Sequence, residues 1–177
     1  MYIVYGPLTT LVYCAGKGVD EFVLDQTGNF VLATENIIMA ERGSLYSPGG
    51  QRTEWNSTHA DFIGHLEAQG YKLRYSGCLV ADFHQVLLDG GGIFSYPALK
   101  KDGAGKLRLL FEAQPLAFIV EQAGGSATNG ERDILDLVAV DLDQRCPLYI
   151  GSKHEVAEVG RFFAADNWLC PRLVAAG

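Results

Sequence analysis

The sequence lacks the features of several protein classes. No apolar run approaches the ~20 residues of a membrane-spanning helix, and the N-terminus has no basic segment followed by an apolar one. Positive charge is also scarce, because 14 Lys and Arg stand against 21 Asp and Glu, for a net charge of −7. This balance argues against nucleic acid and against anionic membranes as partners. We therefore expect a soluble cytoplasmic protein, with a plastid as the alternative in a photosynthetic eukaryote.

The spacing expected of a zinc site is also missing. The four cysteines include no C-x-x-C pair, and the four histidines show no H-x-x-x-H spacing. Cys14 and Cys146 lie in apolar segments, where a reduced thiol behaves as a small hydrophobic residue. Cys170, near the C-terminus, is the cysteine for which oxidation has to be considered.

Length and pattern indicate one domain. A chain of 177 residues buries about 70% of the surface of its unfolded state and can form a sizeable core. No internal repeat, low-complexity segment or long linker divides it. We expect one domain over residues 1–165 and a tail without periodicity over residues 166–177.

Strand patterns alternate with helical ones. Runs typical of strands occupy residues 10–15, 19–24, 30–34, 72–75, 93–96, 134–138 and 148–150. Residues 44–52 contain Pro-Gly-Gly and are expected to form a loop. The alternation predicts an α/β fold in which a mixed β-sheet is flanked by helices.

Four helices are expected in addition. Helical periodicity marks residues 55–69, 79–88 and 107–123. Pro115 should kink the third run or start a new helix within it. Ser152 and Glu155 have the spacing of a capping box, which predicts a helix that begins there and ends near Phe163.

Two cations and a carboxylate stand at fixed spacing in residues 105–112, which read Gly-Lys-Leu-Arg-Leu-Leu-Phe-Glu. If a strand runs here into a helix, Lys106 and Arg108 share one side of the strand, and Arg108 and Glu112 share one helix face. A phosphate group binds to such cations, and a hard divalent ion binds to a carboxylate oxygen. The pattern is also typical of a solvated ion-pair face, so the spacing alone leaves both interpretations open.

Five segments resemble the class I fructose-1,6-bisphosphatases and the related sedoheptulose-1,7-bisphosphatases. In chain order they are residues 5–10 (Tyr-Gly-Pro-Leu-Thr-Thr), 74–84 (Arg-Tyr-Ser-Gly-Cys-Leu-Val-Ala-Asp-Phe-His), 91–97 (Gly-Gly-Ile-Phe-Ser-Tyr-Pro), 105–125, and 144–152 (Gln-Arg-Cys-Pro-Leu-Tyr-Ile-Gly-Ser). The resemblance covers the C-terminal half of the family's polypeptide, whereas the N-terminal half carries most of the magnesium carboxylates. It implies Mg²⁺-dependent hydrolysis of the 1-phosphate of fructose 1,6-bisphosphate, a reaction of gluconeogenesis and of Calvin-type metabolism.

The same resemblance assigns roles to the charged cluster. It implies that Lys106 and Arg108 bind the substrate, with Arg108 as the catalytic residue at the phosphate that is removed. Cations of this kind suit a dianion whose charge spreads in the transition state. Glu112 is implied as a metal ligand, and it would be the single magnesium carboxylate from this half of the polypeptide.

A second phosphate site is implied by the resemblance as well. Tyr75 and Tyr96 correspond to tyrosines that bind the distal phosphate through their hydroxyl groups. Arg74 corresponds to an arginine that reaches this phosphate from the neighbouring subunit, which implies a homo-oligomer, either a dimer or a tetramer. Taken alone, each tyrosine is more often a half-buried packing residue with a solvated hydroxyl group.

Other polar residues are expected to have structural roles. Asp82 and His84 are two apart on a predicted helix and do not face each other. We interpret Asp82 as a structural carboxylate or one that supports a site residue indirectly, and His84 as a surface residue. Asp141, Asp143 and Arg145 are expected to form a local turn network and not a metal cluster.

The substrate remains open at this point. Residues 46–52 read Tyr-Ser-Pro-Gly-Gly-Gln-Arg, and Gly49 stands where the fructose branch usually has an asparagine for the distal phosphate. Sedoheptulose 1,7-bisphosphate is therefore an alternative substrate, for which the glycine-rich loop could provide room. By contrast, Tyr96 followed by Pro97 resembles the fructose branch.

Two further alternatives stay open. Because one carboxylate makes a poor magnesium site, the chain could be a sugar-phosphate-binding module that is inactive alone. It could also be an inositol-phosphatase-like enzyme that acts on another phosphate monoester. Without the other half of the family's polypeptide, we expect an exposed apolar face through which the chain dimerises or aggregates.

Overall fold

The computed structural model describes residues 1–99 and 103–165. The predicted tail and its Cys170 lie outside the described residues. No helix among the described residues is long and apolar enough to cross a membrane.

The first four strands form an antiparallel sheet. In chain order, which is also their order in the sheet, they are β1 (Tyr2–Val4), β2 (Thr10–Tyr13), β3 (Asp20–Leu24) and β4 (Phe30–Thr34). Asp25 fixes the turn between β3 and β4, because its carboxylate accepts hydrogen bonds from the backbone N–H groups of Thr27 (2.8 Å) and Asn29 (2.9 Å). The predicted strands of this region are confirmed, and β1 is an additional one.

A five-stranded mixed sheet forms the centre of the fold. Its strands are β5 (Leu45–Pro48), β6 (Lys72–Leu73), β7 (Gly92–Tyr96), β9 (Ser126–Thr128) and β11 (Leu148–Gly151), in the order β6-β5-β7-β11-β9. Strand β5 pairs in parallel with β6 and β7, and β11 pairs antiparallel with β7 and β9. A separate antiparallel ribbon joins β8 (Leu107–Arg108) to β10 (Arg145–Cys146).

Helices cover both faces of this sheet, so the predicted α/β fold is confirmed. They are α1 (Ser57–Ala68), α2 (Leu79–Leu88), α3 (Gln114–Gln122) and α4 (Lys153–Ala165). Because successive side chains of a strand point to opposite faces, Ile93 packs with α1 and α4, and Phe94 packs with α2 and α3. The predicted helices at 55–69 and 79–88 are thereby confirmed.

The strand backbones at the sheet centre approach each other too closely for a side chain. A Cβ at Gly92 would lie 2.0 Å from the carbonyl oxygen of Leu45, and Gly92 has a φ of +132°. A Cβ at Gly151 would lie 2.0 Å from the carbonyl oxygen of Gly92. Glycine at these positions therefore sets the spacing of β5, β7 and β11.

Two predictions of secondary structure are wrong. The expected loop at 44–52 contains the buried strand β5, which the Pro-Gly-Gly signal concealed. The expected strand at 134–138 is a short 3₁₀ turn, Ile134–Asp136, of which only Ile134 is buried. Leu135 and Val138 are 38% and 78% exposed, so this apolar run lies largely on the surface.

The helix start at 152–155 is confirmed, but the capping box is wrong. The Oγ of Ser152 accepts a hydrogen bond from the N–H of Gly92 at 3.1 Å. The carboxylate of Glu155 accepts hydrogen bonds from the N–H of Gly43 (3.2 and 3.3 Å) and from the hydroxyl of Tyr71 (2.5 Å). Both side chains are fully buried, so they satisfy donors of the sheet and its loops instead of the helix end.

The helical run predicted at 107–123 is wrong at its start and contains three elements. Strand β8 comes first, a π-helical turn (Leu109–Ala113) follows, and α3 begins at Gln114 with Pro115 in its first turn. The prediction that Pro115 starts a new helix is confirmed, because its missing N–H costs nothing at this position.

His59 is a buried histidine on α1. Its Nδ1 lies 3.3 Å from the hydroxyl oxygen of Tyr149, and its Nε2 has no hydrogen-bond partner among the described residues. Burial lowers the pKa of His59 from 6.5 to about 3. Below the ordinary histidine pKa the unfolded chain therefore binds a proton that the folded protein does not.

We expect stability to decline in acid because of this residue. Above pH ~6.5 the protonation of His59 does not change the free energy of unfolding. Below this pH it lowers the free energy of unfolding by up to ~1.4 kcal/mol per pH unit, until the pH approaches the pKa of His59 in the folded protein. The variant His59→Gln cannot take up this proton and should decline less. Urea unfolding of both proteins between about pH 7.5 and 5 measures the difference. Parallel declines would exclude His59 as the source.

Candidate active site

Glu112 folds back on Arg108 at the end of β8. Arg108 is the N-cap residue of the π-helical turn, and Oε2 of Glu112 accepts hydrogen bonds from its backbone N–H (2.8 Å) and its Nε (3.3 Å). The two residues do contact each other, as predicted. Arg108 lies at the end of a strand and Glu112 in the π-helical turn, so the prediction that they share one helix face was wrong. The side chains are 46% and 29% exposed, so the ion pair contributes only about 0–1 kcal/mol to stability.

A cleft of about 230 Å³ lies beside this turn. Its lining residues come from three stretches of the chain and are Tyr75, Gly77, Leu79, Phe94, Tyr96, Lys106, Leu107 and Glu112. Lys106 Nζ lies 5.5 Å from the ring centroid of Tyr96, within the range of a cation–π interaction. The volume is below the ~300–1,000 Å³ of pockets for drug-sized ligands, so the cleft is small.

Asp82 holds the loop that presents Tyr75 to the cleft. Its carboxylate accepts hydrogen bonds from the backbone N–H groups of Ser76 (2.7 Å) and Gly77 (3.2 Å), and the residue is 2% exposed. The predicted structural role of Asp82 is confirmed. The side chain of Tyr75 remains 44% exposed and accessible to a ligand.

His84 contacts the first sheet and not the cleft. Its Nδ1 lies 3.0 Å from the hydroxyl oxygen of Tyr2, and its Nε2 lies 3.6 Å from the carboxylate of Glu21. Only 17% of its side chain is exposed, so the prediction of a surface residue was wrong. Burial lowers the pKa of His84, and the charge of Glu21 opposes this effect in part.

The arginines near the cleft have different contacts. Arg74 is exposed, does not line the cleft, and donates from Nη1 to the carbonyl oxygen of Leu73 at 2.9 Å. Arg145 donates from Nη1 to the carbonyl oxygen of Lys106 at 2.9 Å. Arg145 therefore supports the backbone at Lys106, which directly precedes β8.

The predicted turn network is confirmed for its two acidic members. The backbone N–H of Asp143 donates to Oδ1 of Asp141 at 2.7 Å. Arg145 was wrongly placed in this network, because β10 pairs with β8 and carries its side chain toward Lys106.

Cys146 lies behind the cleft as an inert thiol. Burial, and to a smaller extent the charge of Glu112, raise the pKa of Cys146 to about 12. A thiol with such a pKa is protonated at neutral pH and is a poor nucleophile. The predicted structural role of Cys146 is consistent with this environment.

The described residues do not form a magnesium site by themselves. Among them, no three or more His, Cys, Asp or Glu side chains are grouped as metal ligands. Mg²⁺ requires near-octahedral oxygen coordination, and the cleft offers one carboxylate, Glu112, whose Oε2 is already hydrogen bonded to Arg108. This donor set is insufficient to hold the ion.

Residue patterns did not reveal the apolar and backbone parts of the site. Phe94 and Leu107 line the cleft, but in the sequence Phe94 read only as part of a strand and Leu107 as the start of a helical run. Gly49 lies directly against Tyr96, since a Cβ at Gly49 would be 2.2 Å from Cδ2 of that ring. The sequence offered two signals for Gly49, its place in a Pro-Gly-Gly run and its position where the fructose branch usually has an asparagine, but neither indicated a contact with Tyr96.

Comparison with known proteins places these features in a family. Residues 39–164 match the family described as "Fructose-1-6-bisphosphatase, C-terminal domain". The chain is similar to "Fructose-1,6-bisphosphatase class 1" of Pelobacter propionicus, with 52% identity over 162 residues that cover 92% of this chain and 50% of the relative. The protein of the same name from Geotalea uraniireducens is 54% identical over 156 residues, which cover 88% of this chain and 50% of the relative.

Solved structures agree with the sequence comparison. A crystal structure of Leishmania major fructose-1,6-bisphosphatase in the T-state matches with a TM-score of 0.88 and 41% identity, covering 92% of this chain and 52% of that one. The chain thus spans about half the length of the curated relatives that it matches. All residues of the cleft fall within the matched region. The resemblance seen in the sequence is confirmed: the chain belongs to the fructose-1,6-bisphosphatase family, of which it carries the C-terminal domain.

Proposed function

We propose that this chain is the phosphate-binding half of an enzyme that hydrolyses the 1-phosphate of fructose 1,6-bisphosphate. The observation that carries the proposal is the cleft in which Lys106, Tyr75, Tyr96 and Glu112 converge, in a chain 52% identical to a class 1 fructose-1,6-bisphosphatase. In this reaction, water attacks phosphorus and the bond between phosphorus and the sugar O1 breaks. The products are fructose 6-phosphate and inorganic phosphate.

The residues of this chain bind and orient the phosphate groups. The ammonium group of Lys106 attracts a phosphate dianion, and the hydroxyl groups of Tyr75 and Tyr96 donate hydrogen bonds to phosphate oxygens. Arg108 has five N–H donors on its side chain, of which the contact with Glu112 uses one. Its remaining donors suit the oxygens of the phosphate that is removed, where charge develops in the transition state.

The proposal includes magnesium dependence of the whole protein. Glu112 would supply one ligand, and the other ligands would come from the half of the family's polypeptide that this chain does not cover. When bound, such an ion polarises the phosphate and lowers the pKa of its water. A single carboxylate also favours the alternative in which the isolated chain binds sugar phosphates without hydrolysing them.

Arg74 supports a proposed homo-oligomer. Its side chain is exposed and lies one residue before Tyr75, so its guanidinium group is accessible to a neighbouring copy. A shared distal-phosphate site would make assembly part of catalysis. A dimer is the smallest assembly that satisfies this arrangement, and a tetramer of such dimers would also satisfy it.

Removal of Lys106, which lines the cleft, or of Arg108, which pairs with the lining residue Glu112, should weaken phosphate binding. We expect Lys106→Ala and Arg108→Ala each to reduce the affinity for fructose 1,6-bisphosphate about tenfold or more, because each removes a charge-assisted contact. Isothermal titration calorimetry measures the affinities. The control is Arg161→Ala, since Arg161 pairs with Glu158 on α4 and has no place in the cleft. Equal losses in all three variants would indicate a general effect of net charge and contradict the assignment.

Hydrolysis should require the other half of the family's polypeptide. We expect the chain alone with Mg²⁺ to release no more than trace phosphate. Addition of the N-terminal half of a close relative should restore release, and Glu112→Gln should abolish this gain. A normal enzymatic rate from the chain alone would exclude the non-catalytic alternative.

In the restored enzyme we expect a higher catalytic efficiency with the hexulose than with the heptulose bisphosphate, and the reverse order would make sedoheptulose 1,7-bisphosphate the substrate.

The isolated chain should associate through its exposed apolar surface. Phe30, Val31 and Leu32 of β4 are 42%, 51% and 49% exposed, and β4 is an edge strand. Exposed apolar edge strands favour pairing with other chains. We expect sedimentation velocity to detect dimers or larger species and a hydrophobic dye to bind, with both effects reduced by Leu32→Lys. A monomer at all concentrations with little dye binding would contradict this expectation.

A further inference from the structure

Gly49 and Tyr96 are neighbours because of the register of the central sheet. Strands β5 and β7 pair in parallel, and Pro48 is the partner of Ser95. The next residue of each strand is therefore Gly49 on one side and Tyr96 on the other. The N–H of Gly49 donates to the carbonyl oxygen of Ser95 at 2.7 Å and extends the pairing past the end of β5.

The missing side chain of Gly49 leaves a space that the Tyr96 ring fills. A Cβ at Gly49 would lie 2.2 Å from Cδ2, 2.7 Å from Cε2 and 3.0 Å from Cγ of Tyr96. These separations are shorter than van der Waals contact, so the ring and a Cβ exclude each other. The φ of Gly49 is outside the left-handed region, so its backbone conformation is open to alanine. The ring contact is what favours glycine here.

The backbone at Gly49 is held from two sides. Besides its contact with β7, its carbonyl oxygen accepts a hydrogen bond from Nε1 of Trp55 at 2.9 Å. Trp55 is 6% exposed and also bridges to Leu99, so this bond is sheltered from water. A side chain at position 49 would therefore displace the Tyr96 ring more readily than the backbone.

Movement of this ring changes the cleft. Tyr96 lines the cleft, and Lys106 Nζ lies 5.5 Å from its ring centroid, so the tyrosine hydroxyl and the lysine ammonium depend on one ring position. We infer that Gly49 is a positioning residue for substrate binding, which acts by seating Tyr96 and, through it, Lys106. This inference rests on the proposed function. It also gives Gly49 a role other than room for a longer sugar, because the ring occupies the space.

A double-mutant cycle in substrate affinity tests the inference. We expect Gly49→Ala to weaken binding of fructose 1,6-bisphosphate about tenfold and Tyr96→Phe to do the same, because each removes a correctly placed hydroxyl group. The double variant should then be little weaker than either single one. Calorimetric titration of the full chain measures all four affinities. Losses that multiply to about a hundredfold, or wild-type affinity in Gly49→Ala, would overturn the inference.

A second cycle needs no ligand and separates this inference from the proposed function. Thermal unfolding should show that Gly49→Ala lowers the midpoint in the wild-type background but not in the Tyr96→Ala background, where no ring obstructs the new methyl group. The control Gly64→Ala adds a methyl group with no atom within 4 Å and should not lower the midpoint. If the wild-type chain fails to bind the bisphosphate, the proposed function fails while this cycle still tests the contact. An equal loss in both backgrounds would contradict the contact.

Discussion

The close approach of three strand backbones fixes the rest of this structure. Glycine at 92 and 151 lets β5, β7 and β11 lie in contact where any side chain would collide with a carbonyl group. Near this contact the buried side chains of Ser152 and Glu155 accept hydrogen bonds from the N–H groups of Gly92 and Gly43, respectively. Because β5 and β7 pair in parallel, their C-terminal ends lie side by side. There Tyr96, the last residue of β7, lies against the turn after β5 and borders the cleft.

The two interpretations of the charged cluster are compatible in this arrangement. Arg108 and Glu112 do form an ion pair, which the interpretation as a solvated face required. Because the pair is partly exposed, it contributes too little to stability to dominate the local fold. The turn that joins them is held more by the buried Leu109 and Ala113. The charges are thus presented by a packed scaffold, so either of them is available to a ligand.

Sequence patterns predicted the elements whose local signal agrees with their packing. Helix α2 has a clear apolar face, and its bounds were predicted correctly. Strand β5 was missed because Pro48 and the glycines that follow indicate a turn, whereas its burial comes from distant strands. For the same reason the capping box predicted from the spacing of Ser152 and Glu155 was wrong. The hydrogen-bond donor to Glu155 is the N–H of Gly43, which lies 112 residues away in the chain. The site residues came from family resemblance, which also drew attention to Gly49, whereas the contact of Gly49 with Tyr96 follows only from the register of β5 and β7.

The charges of Lys106, Arg108 and Glu112 limit how strongly these three residues alone attract an anion. Lys106 and Arg108 bring two positive charges to this region, and Glu112 brings one negative charge that repels a phosphate dianion. These three residues together carry one net positive charge, and the hydroxyl groups of Tyr75 and Tyr96 lie beside them. A dianion in a partly solvated cleft gains little from one net charge. The other described arginines near the cleft contact backbone carbonyl groups, Arg145 that of Lys106 and Arg74 that of Leu73. A metal ion bound in part by Glu112 would turn the repelling group into an attracting one.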